Sequence, residues 1–163
     1  PFPPRIRIAL PPAPARLTVM KALSFAAALL LPIVSLMAKP GWSEDYEASL
    51  AKAKADNKLV LLDFTGSDWC GWCIKIDKEI FSTPEFQDYA AKNLELVELD
   101  FPRKKTLPDN VKAQNEKLLR EYGIQGFPTI IVLNSQGKKI GELGYMPGGP
   151  KPFIAELEKL KNK

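Results

Sequence analysis

Apolar residues change their spacing several times along this chain, and each change marks an element. Tyr46, Leu50 and Ala53 recur at helical spacing behind Trp42-Ser43-Glu44-Asp45, where a capping residue precedes two acids. A first helix is therefore expected to run to about Asn57. Residues 59–64 are apolar except for Asp63, the pattern of a short strand covered on both faces. Ile76 and Ile80 fall on one face of a helix from Cys73 through Phe81, and Ser82-Thr83-Pro84-Glu85 caps a second helical piece beyond a kink. Residues 94–100 read as the next strand, and residues 102–108 as a solvated loop carrying Arg103, Lys104 and Lys105. A helix over 110–122 places Val111, Leu118, Leu119 and Tyr122 at apolar positions and is closed by Gly123. Strands at 129–133 and 138–143 flank Asn134-Ser135-Gln136-Gly137 as a hairpin, and residues 153–160 supply the last helix. The order α, β, α, β, α, β, β, α requires an α/β fold: a central mixed sheet, parallel first and antiparallel at the end, with helices on both faces.

A different pattern precedes residue 39. Met20 and Lys21 lead into an Ala- and Leu-rich run over 22–38, broken by Pro32 and ending in Ser35-Leu36-Met37-Ala38. A positive start, an apolar middle and a small residue at the end make a secretory signal, with the cut expected after Ala38. The alternative is an uncleaved anchor, but spanning a bilayer takes about 20 apolar residues and this run is shorter. Residues 1–19 hold six prolines and cannot build a core, so they read as a disordered or mis-assigned extension. The expected division is 1–19 extension, 20–38 signal and 39–163 folded domain, exported to the periplasm or beyond.

The full length of 163 residues suits one domain with a real core. The net charge of +4 owes its sign to Arg5, Arg7, Arg16 and Lys21; the remainder holds 19 basic and 19 acidic residues. That balance offers no footprint for nucleic acid. The absence of histidine removes the commonest general base and metal ligand together.

Chemistry concentrates in Trp69-Cys70-Gly71-Trp72-Cys73, where a strand hands over to a helix. The first cysteine of such a pair faces the unpaired N–H groups of the helix start, which together with the helix dipole stabilise a thiolate. Cys70 is expected to attack and Cys73 to resolve. A structural zinc site needs four ligands, haem attachment needs a histidine where Ile74 stands, and a crosslink closing so short a loop adds little stability. No cofactor or resident metal is called for. A dithiol that carries copper(I), and a module that binds client proteins without turnover, remain as alternative readings.

Three separated features, namely Val60 to Phe64 with its acid, the cysteine pair behind Trp69, and Gly126-Phe127-Pro128-Thr129 before a strand, resemble the thioredoxin superfamily, and within it exported bacterial proteins with a Trp-Cys-Gly-Trp-Cys motif. The resemblance covers about residues 59–160 and implies a thioredoxin-like three-layer sandwich that exchanges disulfides with protein clients. It implies that Pro128 follows a cis bond, that the backbone of Phe127 pairs with the client, and that Asp63 accepts the proton of the resolving Cys73. It also implies client contact for Trp69, and for Trp72, which replaces the usual proline. An exported reductant of this class draws electrons from a membrane-borne donor; a monomer is expected. Two departures stand out: the loop from Asp63 to Cys70 is one residue longer than in thioredoxin, and no lysine matches the family's partner to the buried acid, while Glu98 lies in the neighbouring strand.

Overall fold

A computed structural model of the chain describes residues 39–162; the extension and signal read at 1–19 and 20–38 lie outside them. Eleven elements follow in order. They are β1 (Trp42–Ser43), α1 (Tyr46–Asp56), β2 (Leu59–Thr65), α2 (Gly71–Ile76), a π-helical turn (Asp77–Phe81), α3 (Pro84–Asn93), β3 (Leu94–Asp100), α4 (Asp109–Glu121), β4 (Thr129–Leu133), β5 (Lys139–Leu143) and α5 (Pro150–Lys161). The sheet order is β1-β3-β2-β4-β5. β1 and β2 run parallel to β3, whereas β4 pairs antiparallel with both β2 and β5. This is the mixed, doubly covered sheet that the pattern requires.

Two refinements alter the expected elements. Trp42 and Ser43 form a short edge strand, and the helix cap is Asp45, whose carboxylate accepts the N–H of Ala48. The two-residue strand is too short to show a period of its own. The kink after Phe81 is prepared by the wide π turn, and Thr83 caps α3 with Pro84 at its first position.

Side-chain alternation in β2 decides what lies where. Leu59 and Leu61 pack with Ile76, Ile80, Phe81, Phe86 and Phe153 on one side of the sheet. Val60, Leu62 and Phe64 pack with Tyr46, Val97, Leu99 and Leu118 on the other. Because strand side chains alternate with period two, Asp63 belongs to the first side, beneath α2. In β3 the same rule sets Glu98 with Leu94 and Leu96 on that side, and the parallel register pairs Asp63 with Glu98 directly.

Candidate active site

β2 ends at Thr65, and the loop that follows delivers Cys70 as the N-cap of α2. Cys70 and Cys73 are joined as a disulfide with Cα atoms 5.2 Å apart. The Cys70 sulfur accepts the backbone N–H of Cys73 at 3.2 Å, so a free donor of the first helical turn points at the sulfur expected to attack. Cys70 is 7% and Cys73 3% exposed, which leaves a narrow approach to the first sulfur and less to the second. The peptide bond between Phe127 and Pro128 is cis, and the Phe127 carbonyl oxygen lies 3.7 Å from the Cys70 sulfur. The three segments that carried the sequence resemblance thus meet at one point.

The two tryptophans occupy unlike positions. Trp72 is 57% exposed on the first turn of α2, with its ring 5.2 Å from that of Tyr145 and the Lys75 ammonium over both. Trp69 is half-buried and fixed on several sides. Its indole N–H donates to the Phe101 carbonyl at 2.8 Å, its ring meets Phe127 edge-on, and Phe101 stacks on Phe127 behind it. Gly66 makes this seat possible, since a Cβ there would fall 2.6 to 2.8 Å from the indole.

The loop at 102–108 is not simply solvated, as the sequence had suggested. Asp68 accepts the backbone N–H groups of Arg103 and Lys104, and these bonds hold its carboxyl below the usual range. Asp100 accepts the N–H and hydroxyl of Ser67 and pairs with Lys105 at 2.8 Å. The Arg103 guanidinium lies 3.8 Å over the Trp69 ring. Hydrogen-bonding acids on each side therefore clasp the two loops that flank the dithiol.

Beneath α2 a cavity of about 310 Å³ is lined by Asp63, Glu98, Lys39, Cys73, Asp77 and Lys105, among others. Asp63 is 3% exposed, and its Oδ1 has no hydrogen-bond partner among the described residues. Burial pushes the Asp63 carboxyl up to about 7; Lys39 opposes that rise, while Glu98 and Asp100 add to it. Glu98 is likewise raised, chiefly by burial and against the pull of Lys39.

No lysine stands where the family places the partner of the buried acid, since Glu98 pairs with Asp63 in the register, yet the fold brings another lysine to the cavity. Lys39 reaches the cavity from ahead of β1, pairs with Asp77 of the π turn and lies 4.5 Å over the Trp42 ring. Burial lowers its own pKa, while Asp63 and Glu98 counteract the fall. Its position 24 residues before Asp63 in the chain hides it from motif reading. Only the pairing of β1 with β3 brings it under the dithiol.

A helix-capping dithiol, opposed by a cis-proline loop and set over a buried acid on this sheet, defines a thiol-disulfide oxidoreductase of the thioredoxin type. The chain belongs to the thioredoxin-like domain family, which it matches over residues 46–161. It is 36% identical over 115 residues to the disulfide bond reductase DsbH of Chlamydia pneumoniae, covering 71% of this chain and 69% of that protein. A solved structure of DsbH oxidoreductase superposes with a TM-score of 0.69 at 32% identity, covering 78% of this chain and 91% of the other. The thiol:disulfide interchange protein DsbD of Photorhabdus laumondii is 34% identical over 84 residues, but these make up 52% of this chain and only 13% of DsbD.

Proposed function

We propose that this protein is an exported disulfide reductase or isomerase-like catalyst in which Cys70 attacks and Cys73 resolves. The observation that carries the reading is the N–H of Cys73 directed at the Cys70 sulfur, with the Phe127 carbonyl in front of it. In the reducing direction, the Cys70 thiolate attacks a client disulfide, one client sulfur leaves as a thiol, and a mixed disulfide forms. Cys73, deprotonated by Asp63, then attacks Cys70; the second client thiol leaves and the Cys70–Cys73 disulfide closes. Phe127 and Pro128 would line the client backbone, and Trp72 would offer an exposed ring beside it. The relatives' names, a disulfide bond reductase and a thiol:disulfide interchange protein, support this chemistry and lend nothing to copper(I) transport.

The charge pattern favours a reductant over a strong oxidant. A strong oxidant holds its reduced form by extra positive charge near the first sulfur, whereas the residues between the cysteines are the uncharged Gly71 and Trp72. Lys75 is engaged with Glu79 at 3.9 Å. The acids Asp63 and Glu98 lie below. The expected reduction potential falls between those of thioredoxin, about −270 mV, and protein disulfide isomerase, about −180 mV. Equilibration with glutathione buffers, read by tryptophan fluorescence, gives the value, and insulin reduction with dithiothreitol tests turnover. A potential near −120 mV or no insulin reduction would count against the reading.

Export to the periplasm or beyond is proposed from the pattern of residues 20–38, and a monomer is the proposed working form. No helix among the described residues is long and apolar enough to cross a membrane. Electrons would then arrive from a membrane-borne donor. Mass spectrometry of the protein from its native host is expected to find a start near Lys39; an intact Met20 start in the cytoplasm would contradict export.

A further inference from the structure

Arg103 is held in an unusual state for an exposed arginine. Its guanidinium lies 3.8 Å over the Trp69 ring, one residue before Cys70. The ring itself cannot easily turn away, because the Phe101 carbonyl, Phe127 and Gly66 fix it. Arginine stacked on an aromatic face keeps its edge N–H donors free and loses less conformational freedom when it binds a carboxylate. The two acids nearest in the loop clasp are already engaged: Asp68 by the N–H groups of Arg103 and Lys104, Asp100 by Ser67 and Lys105. Among the described residues, no carboxylate lies within ion-pair distance of the Arg103 or Lys104 side chains. The positive charge is thus presented outward over the Trp69 ring, which itself meets Phe127 edge-on.

We infer that Arg103, flattened on Trp69 and supported by Lys104, is a specificity residue that selects client segments bearing an acidic side chain next to their reactive cysteine. The preference rests on the disulfide-exchange reading given above and adds to it the chemistry of the client. A carboxylate one or two residues from the client cysteine would meet the guanidinium while the client backbone lies along Phe127. Trp69 then acts through Arg103 as a platform, and the open aromatic contact falls to the exposed ring of Trp72.

Two short peptides provide the test, identical except for Glu or Gln flanking a single cysteine that is held as a disulfide with uncharged 2-mercaptoethanol. The reduced protein takes each disulfide to the peptide thiol and mercaptoethanol, and its own dithiol closes, so two electrons and two protons pass to the products. Stopped-flow tryptophan fluorescence gives the second-order rate constants. At low salt the protein is expected to prefer the Glu peptide by about five-fold, the scale of a well-formed exposed ion pair. Arg103→Gln should bring the ratio to about one, and Arg103→Glu should invert it. Equal rates for both peptides with the unsubstituted protein, or an unchanged ratio in Arg103→Gln, would overturn the inference. The readout is the ratio of the two peptide rates, because any change in the Cys70 thiolate that Arg103→Gln causes alters both rates alike and cancels. Failure of the unsubstituted protein to reduce any of these disulfides would instead remove the functional reading beneath it.

Discussion

A Cys73→Ser variant is expected to accumulate as mixed disulfides with its clients, while Cys70→Ser accumulates none. The difference follows from the order of the two sulfurs along α2. Cys70 is the N-cap, its sulfur faces the N–H of Cys73, and it is the more exposed of the pair. Helix N–H groups favour a thiolate there, and the thiolate is the attacking form. With serine at 73 the first exchange still proceeds, but no second sulfur releases the client. Both variants should lose insulin reduction almost entirely, since each half of the cycle needs its own sulfur. Non-reducing gel electrophoresis after alkylation reads the trapped species directly. Trapping by Cys70→Ser equal to that by Cys73→Ser would reverse the assignment of roles.

Replacing Asp63 by Asn should change two pH profiles at once, in opposite senses for stability and for turnover. A carboxyl that titrates at about 7 in the folded chain and near 4 in the unfolded one binds its proton more tightly when folded. Its stabilising contribution is fully present below about pH 4 and is lost as the pH rises through 7. The full span corresponds to on the order of 4 kcal/mol, with the opposing pull of Lys39 already included. At pH 8 the Asn variant is therefore expected to be a few kcal/mol more stable than the unsubstituted protein, with the difference shrinking toward pH 4. Denaturant unfolding at the two pH values checks this. Turnover should respond the other way. Above pH 7 the Asp63 carboxylate can take the proton of Cys73, and Asn cannot, so resolution of the mixed disulfide should slow at least about tenfold. The inflection near 7 in the rate profile should disappear as well. Unchanged profiles in both measurements would mean that Asp63 is neither the titrating group nor the base.

The sequence exposed those parts of the site that lie on periodic or punctuated segments. Asp63 interrupts an otherwise apolar strand, Cys70 and Cys73 stand at a strand-to-helix junction, and Phe127-Pro128 opens the next strand; each is a local signal, and the fold brings all of them together. Lys39 and Arg103 escaped because neither belongs to a pattern. Lys39 depends on a two-residue edge strand, below the length at which alternation can be read. Arg103 depends on tertiary bonds from Asp68 to backbone N–H groups 35 and 36 residues further along, and a run of basic residues in a loop ordinarily means solvent. Glu98 was visible as an acid in the next strand, but its direct pairing with Asp63 required the register.

The arrival of Lys39 from ahead of β1 has a practical consequence for anyone expressing the domain. Every regular helix and strand described here begins at Trp42 or later, so a recombinant form trimmed to Gly41 would keep the whole sheet and all of its helices. It would nevertheless lack the ammonium that restrains the Asp63 and Glu98 carboxyls. Such a trimmed domain would retain every residue of its strands and helices and both cysteines, yet its buried carboxyls would titrate without their nearby cation. The choice of first residue, usually a matter of yield, is here a choice about the active site.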